Sequence, residues 1–153
     1  MSGNWPSIQF PNLNDDNHEI QSVPTQEYNC IAWAAGDTRR WWWPDDPKVG
    51  YGYWPPGVKR EVSLDAFVEA YQTLGYEPCL SPTLELDFEK VALYVDSGGI
   101  PTHAALQLAN GNWTSKLGGF EDIEHKTLEC LNSQLYGESV SYLRRRRRIR
   151  PLA

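Results

Sequence analysis

Residues 102–117, THAALQLANGNWTSKL, contain two strand-like runs separated by an Asn-Gly pair. An Asn-Gly pair between such runs is typical of a tight turn that joins two antiparallel strands. The stretch therefore predicts a β-hairpin with strands over 102–108 and 112–117. His103 lies at the start of the first strand, where its side chain can reach a neighbouring element without disrupting the core.

Apolar residues elsewhere predict further elements around this hairpin. The residues between Ser63 and Gly75, LDAFVEAYQTL, repeat apolar side chains at i, i+3, i+4 and i+7, which is typical of an amphipathic helix. Ser63 suits the N-cap position, and Gly75 suits the end of the helix. The other predictions are strands over 90–95 and 138–143 and a second helix over 123–132.

A short helix is also predicted over 25–36, TQEYNCIAWAAG. Either Thr25 or Asn29 can serve as its N-cap, and Gly36 can end it. The Asn29 cap places Cys30 in the first turn, and the Thr25 cap places it one turn later. A thiol near the positive end of a helix is expected to ionise more easily, which would favour the reactive thiolate.

Composition restricts the possible functions. The chain has 153 residues, of which 41% are hydrophobic, and this suits one domain with a real core. Acidic residues number 20 against 14 basic ones, giving a net charge of -6, which argues against nucleic acid as the main partner. The arginine run 144–148 is interpreted as a solvated C-terminal end whose start belongs to an edge strand.

The three cysteines, Cys30, Cys79 and Cys130, form no C-x-x-C pair, so neither a zinc ribbon nor a redox motif is expected. Their odd number fits a reducing compartment. The first residues, MSGNWPSIQF, do not read as a signal peptide, and no apolar run approaches the ~20 residues of a membrane span. The expectation is a cytoplasmic protein with no membrane contact, no metal and no cofactor.

The chain divides into an irregular lead over 1–24, a domain over 25–145 and a basic tail over 146–153. A long aromatic and proline-rich loop is predicted over 37–61, and loops of this length are usually functional or disordered. Its aromatic side chains could hold a substrate, although packing is the alternative. The candidate substrate-binding residues are Trp41, Trp42, Trp54 and Trp113.

Two of these segments resemble a known group of enzymes. NCIAWA resembles the nucleophile helix of papain-like and NlpC/P60-like cysteine peptidases, and THAALQLANGNWTSKLG resembles their histidine hairpin. The resemblance implies an α+β, papain-like fold in which a nucleophile helix packs on a small antiparallel sheet. It also implies that Cys30 is the nucleophile and His103 its general base, the pairing that thiol catalysis requires.

The resemblance leaves the third catalytic residue open. Ser115 best matches the family's orienting position on the returning strand. Asp122 is favoured because a carboxylate suits the role of holding the imidazole, and His125 could share that site. Asn112 lies nearer the turn. For the oxyanion, the resemblance implies the backbone N–H of Cys30, with a side-chain donor from Asn29 or Gln26.

The motifs NCIAWAAGDTRRWWWP, THAA and WTSKLG...EDIEH are also similar to an uncharacterised bacterial domain family, over about 26–145. The expected function is a cysteine hydrolase (thiol protease or amidase) or acyl transferase that acts on a peptide, protein or amide. The alternatives are a catalytically inactive copy that binds a partner protein and a small effector or toxin-like domain. The sequence leaves the oligomeric state open.

Overall fold

Strands dominate the computed structural model of this chain, which describes residues 10–46, 48, 50, 52–117 and 120–147. The seven strands are β1 (His18–Ile20), β2 (Glu77–Cys79), β3 (Phe88–Val95), β4 (Pro101–Gln107), β5 (Trp113–Lys116), β6 (Asp122–His125) and β7 (Glu138–Arg146). The two helices are α1 (Cys30–Ala34) and α2 (Leu64–Gln72), and a 3₁₀ turn spans Leu128–Leu131.

All seven strands form one sheet in the order β1-β6-β5-β4-β3-β7-β2, and every neighbouring pair is antiparallel. Strands β4, β5 and β6 follow one another in the chain and in the sheet, so they form a meander. The longest strands, β3 and β7, pair with each other. A register shift between Leu93 and Tyr94 interrupts that pairing near one end.

The expectation of an α+β, papain-like fold is wrong: this is a mainly β fold. The sheet is the framework, and α1 and α2 contain only five and nine residues. The residues expected to extend the helical part, 123–132, instead form strand β6 and the 3₁₀ turn. Their apolar spacing is that of a short, buried strand followed by a tight turn.

Hydrophobic residues cover both faces of the sheet. On the first face, α1, α2 and buried side chains of the aromatic loop pack on Val91, Leu93 and Ala104. On the second face, Tyr94 and Ala105 pack with a different set, which includes Phe10, Trp113 and Tyr136. Because strand residues alternate between faces, adjacent residues of β3 and β4 serve different cores.

The sequence explains where α1 begins and ends. Asn29 is its N-cap, and its Oδ1 accepts a hydrogen bond from the Ala32 amide at 3.1 Å. Gly36 follows the helix at a φ of +82°, a conformation that suits glycine. The amides of Gly36 and Asp37 bond back to the carbonyls of Trp33 and Ala32, which is the Schellman pattern.

Several predicted elements are confirmed with small changes at their ends. Ser63 caps α2, and its side chain accepts from the Ala66 amide. The strands predicted from 90, 102, 112 and 138 correspond to β3, β4, β5 and β7. The lead over 1–24 was predicted to be irregular, but it contains β1; residues 1–9 lie outside the described part.

The arginine run is mostly part of the sheet, because β7 continues to Arg146. Arg144 bonds Glu85 at 2.6 Å, and Arg145 bonds Glu89 at 2.7 Å. The prediction of a solvated run is therefore wrong for these two residues, and the prediction that the run starts in an edge strand is wrong because β7 lies between β3 and β2. Residues 148–153 lie outside the described residues. Within the described ranges, no helix has the length and apolar character needed to cross a bilayer.

Candidate functional site

Cys30 is the first residue of α1, as the Asn29 cap predicts. Its Sγ lies 3.9 Å from the carbonyl oxygen of Thr102. The backbone amide of Ala104 also stabilises its thiolate. Thr102 and Ala104 are the two neighbours of His103 in the chain, so the sulfur lies against the backbone of strand β4 at the position of His103.

The Cys30 thiol is not easily ionised in this structure, contrary to the expectation from the helix end. Burial raises its pKa to about 11, and the amides of Ala104, Ile31 and Cys30 offset only part of that effect. The residue is 7% exposed. A five-residue helix with a buried end therefore stabilises the thiolate less than the loss of water destabilises it.

His103 is fully buried on the second face of the sheet, where it pairs with Tyr94 of β3. Its ring stacks on Tyr136 with a centroid distance of 4.2 Å and an interplanar angle of 13°. Burial, followed by the nearby His125, holds the pKa of His103 well below its usual value. The ring is therefore a neutral imidazole at physiological pH.

A chain of hydrogen bonds fixes the Nε2 atom of the His103 imidazole. His103 Nε2 lies 3.0 Å from Ser115 Oγ, and Ser115 Oγ lies 2.8 Å from His125 Nε2. His125 Nδ1 lies 2.8 Å from the Thr127 carbonyl oxygen. The other nitrogen of His103, Nδ1, is buried and has no hydrogen-bond partner among the described residues.

Cys30 and His103 approach strand β4 from different sides. Cys30 belongs to the core on the first face, whereas His103 pairs with Tyr94, which belongs to the core on the second face. No hydrogen bond joins the sulfur to Nδ1 among the described residues. Burial, and then the charge of a Cys30 thiolate, raise the pKa of Tyr136, so the sulfur lies within electrostatic range of the ring stacked on His103.

Ser115, and not Asp122, contacts His103. In the β5–β6 register, Ser115 pairs with Ile123 and Lys116 pairs with Asp122, so the carboxylate lies on the opposite face from the imidazole. Asp122 accepts a hydrogen bond from the Tyr28 hydroxyl at 2.7 Å instead. The sequence-based preference for the carboxylate overlooked this alternation along β6.

The two candidate side-chain donors for the oxyanion are placed differently. Asn29 Nδ2 donates to the Trp42 carbonyl at 2.7 Å, and its Oδ1 accepts from the amides of Trp42 and Ala32, so its amide holds the backbone together. Gln26 is exposed in the turn before α1. The backbone amides of Cys30 and Ile31 lie beside the sulfur and stabilise its charge.

Most of the tryptophans predicted to bind substrate are core residues. Trp42 and Trp54 are buried in the first core, and Trp113 is buried in the second. The indole of Trp42 donates to Asp37 at 2.8 Å, and that of Trp54 donates to the Lys59 carbonyl at 2.9 Å. Trp41, at 39% exposure, is the one member of the predicted set that faces solvent.

Five surface pockets in the described part of the chain lie away from Cys30 and His103. None of these five is lined by either residue. The same described residues contain no group of three or more His, Cys, Asp or Glu arranged to hold a metal ion. Access to the sulfur therefore depends on the small exposed part of Cys30.

Two contributors to the site were missed from the sequence. Tyr136, the ring stacked on His103, follows the 3₁₀ turn in a segment with no periodic signal. Thr127 contributes through its carbonyl oxygen, which no side-chain pattern can reveal. His125 was considered because it follows Asp122 by three residues, but its place on the face that carries Ser115 follows from strand β6, a segment predicted to be helical.

Comparison with known proteins gives a family and no function. A search of the curated proteins and a search of the solved structures returned no match. One family model, described as "Domain of unknown function (DUF7689)", matches residues 19–144, which includes both helices and most of the sheet. The chain therefore belongs to the DUF7689 family of domains of unknown function.

Proposed function

We propose that this protein is a cysteine-nucleophile hydrolase or acyl transferase that acts on a peptide, protein or amide. One observation carries the proposal. The Cys30 sulfur lies against the backbone on both sides of His103, whose Nδ1 is buried without a partner while Nε2 is held by Ser115. General-base activation requires an oriented imidazole with one free nitrogen, which His103 has, and a thiol that reaches it, so the proposed reaction includes a turn of the Cys30 side chain toward Nδ1.

The reaction begins from a neutral pair. The Cys30 pKa is raised to about 11 and the His103 pKa is lowered, so both groups are uncharged at rest. As the sulfur attacks the acyl carbon, Nδ1 takes the thiol proton and a C–S bond forms. The bond to the leaving group then breaks, and the imidazolium returns its proton to that group.

The resulting thioester is resolved in a second step. A water molecule, or the amine of an acceptor, attacks the acyl carbon while His103 accepts its proton. The C–S bond breaks, and the sulfur recovers the proton as a thiol. The amides of Cys30 and Ile31, which lie beside the sulfur, are the proposed donors to the oxyanion in both steps.

The setting of the reaction is also part of the proposal. Cys30, Cys79 and Cys130 are all free thiols, which fits a cytoplasmic, reducing compartment. Trp41 is the exposed aromatic side chain of the predicted set and is the proposed contact for an apolar part of the substrate.

The test uses p-nitrophenyl acetate, a simple acyl donor whose leaving group is coloured. We expect the native protein to form a transient acetyl adduct on Cys30, detectable by mass spectrometry, and to release nitrophenolate catalytically. Cys30→Ser should abolish the adduct, and His103→Gln should slow its formation by about 100-fold. Cys79→Ser is the matched control and should leave the rate unchanged. Equal release by the native protein and by Cys30→Ser would refute the proposal.

A second candidate function is a non-catalytic domain that binds a partner protein. The burial of Cys30, with 7% of its surface exposed, favours it, because a nucleophile must reach its substrate. In that case the native protein forms no adduct on Cys30, and the contacts around His103 contribute only to folding. The same experiment therefore separates the two functions.

A further inference from the structure

The hydrogen-bond chain through His103, Ser115 and His125 ends on a group that can only accept. A backbone carbonyl has no proton to donate. The 2.8 Å contact between His125 Nδ1 and the Thr127 carbonyl therefore requires a proton on Nδ1. This is a fixed point from which the direction of the other hydrogen bonds follows.

The protonation of His125 settles the next bond. Burial lowers the pKa of His125 to about 4, so the ring is neutral and carries one proton. Since that proton is on Nδ1, Nε2 is an acceptor. The Ser115 hydroxyl must then donate across the 2.8 Å contact to His125 Nε2.

The last bond follows in the same way. The Ser115 hydroxyl has one proton, which it donates in the hydrogen bond to His125, so Ser115 Oγ accepts a hydrogen bond from His103 Nε2 at 3.0 Å. His103 therefore carries its proton on Nε2. Its Nδ1 is left as an unprotonated nitrogen, and it is the nitrogen without a hydrogen-bond partner among the described residues.

We infer that His125 is a positioning residue that sets the tautomer of His103 through Ser115, so that the nitrogen left without a partner is always the basic one. This inference rests on the proposed function for its catalytic meaning. The tautomer itself is a property of the folded protein, so it can be measured whether or not the protein is an enzyme. His125 touches neither the sulfur nor a substrate in this scheme.

The two strands on either side of His125 hold it in place for this role. His18 of β1 pairs with it across the sheet, and Trp113 of β5 pairs with it on the other side. The His125 ring is fully buried on the face that carries Ser115. A rigid position between two strands keeps Nδ1 directed at the Thr127 carbonyl.

The experiment is nitrogen NMR of the histidine rings in ¹⁵N-histidine-labelled full-length protein at neutral pH. Long-range nitrogen–proton couplings report which ring nitrogen carries the proton. In the native protein we expect His103 as the Nε2–H tautomer and His125 as the Nδ1–H tautomer. In His125→Phe, Ser115 loses its acceptor, and His103 should become a mixture of both tautomers.

Ser115→Ala provides a second variant that removes a single oxygen atom, in case the ring replacement prevents folding. It should give the same mixture at His103. His18→Gln is the matched control, because it changes the cross-strand partner of His125 and leaves the chain of hydrogen bonds intact. Its His103 tautomer should match that of the native protein.

Activity gives the second readout. Where nitrophenolate release depends on Cys30, His125→Phe should lower kcat about 10-fold or more and leave KM within about twofold. A native His103 with its proton on Nδ1, or a tautomer unchanged in both variants, would overturn the inference. Tautomers as expected together with no Cys30-dependent release would leave the inference standing and refute the proposed function.

Discussion

Asn29 and Trp42 are joined by two hydrogen bonds, from the Trp42 amide to Asn29 Oδ1 at 3.1 Å and from Asn29 Nδ2 to the Trp42 carbonyl at 2.7 Å. The same Oδ1 caps helix α1 through the Ala32 amide. One buried side chain thus fixes both the start of the helix that carries Cys30 and the start of the aromatic loop.

Replacing Asn29 tests this linkage. Asn29→Ala removes the cap and leaves the buried Trp42 amide and carbonyl without that partner, so we expect a loss of about 3 kcal/mol in the free energy of unfolding. Asn29→Asp keeps the acceptor and loses the donor, so its loss should be smaller. Urea denaturation measures both. The exposed Gln26→Ala should stay within about 0.5 kcal/mol of the native protein, and an equal loss in all three variants would contradict this account.

The backbone conformation of Gly137 helps to position the preceding residue, Tyr136, whose ring stacks on His103. Gly137 has a φ of +74°, and a Cβ there would lie 1.7 Å from the Val95 carbonyl oxygen. Gly137→Ala should therefore destabilise the protein by more than about 2 kcal/mol, since both backbone strain and a clash with main chain arise.

Gly57 provides the matched control for that prediction, because its φ is +84° and a Cβ would meet nothing within 4 Å. Gly57→Ala should cost only about 1 kcal/mol, the contribution of the left-handed conformation alone. Thermal unfolding of the two variants measures the difference. Similar melting temperatures would show that the close approach to Val95 is relieved at little cost.

The free energy of unfolding should decrease as the pH is lowered from 6.5 to 4, because two histidines are buried. The folded pKa of His125 is lowered to about 4 by burial, and that of His103 is also lowered. In this window the unfolded chain binds protons that the folded protein excludes, so protonation favours unfolding. For His125 alone, the loss from pH 7.5 to pH 4.5 is about 2–3 kcal/mol.

Urea denaturation at pH 7.5 and pH 4.5 measures that loss. His125→Phe should reduce the pH dependence, because the remaining buried histidine is His103. The carboxyl pKa values of Asp37 and Glu124 are also lowered, so the stabilisation that these groups contribute is lost only at the acidic end of this window and below it. A pH dependence unchanged in His125→Phe would mean that His125 is accessible to protons in the folded state.

Two adjacent arginines should differ in their contribution to stability. Arg145 bonds Glu89 at 2.7 Å and the Leu74 carbonyl at 2.8 Å, and its guanidinium lies 4.4 Å from the Tyr76 ring centroid. Arg146 is exposed. We expect Arg145→Ala to lower the free energy of unfolding by about 1–3 kcal/mol and Arg146→Ala by less than about 0.5 kcal/mol. Equal losses would show that only the net charge of the run matters.

The sequence is informative where one local signal determines the structure. The Ser63 cap and its apolar period located α2, and the Asn-Gly turn located the β4–β5 hairpin. Residues 123–132 were misassigned because a four-residue strand and a one-turn 3₁₀ helix both fit a short apolar pattern. The class of fold was wrong because β1 and β2 join the sheet by long-range pairing, which local patterns do not encode, and because β6 was predicted to be part of a helix.

The candidate site shows the same contrast between local and long-range information. Cys30 and His103 were chosen by residue type, and the structure places the Cys30 sulfur against the backbone of β4 at Thr102, while the His103 ring lies on the other face of the sheet. Asp122 was preferred to Ser115 because a carboxylate suits the orienting role. The alternation of side chains between the two faces of the sheet was not considered, and this alternation decides which side chain faces the His103 ring. The raised pKa of Cys30 depends on how many atoms surround the sulfur, which no sequence motif specifies.

The acceptor that ends the hydrogen-bond chain, the Thr127 carbonyl, has a consequence for engineering and for natural variation. Every amino acid supplies the same peptide oxygen, so exchanging the side chain at position 127 leaves the acceptor in place. Only a change in the path of the main chain, such as an insertion between 125 and 128, would remove it. A scan of single substitutions would therefore report only the loss of the 3.2 Å contact between the Thr127 hydroxyl and the Cys130 sulfur, and not the dependence of the protein on the carbonyl oxygen.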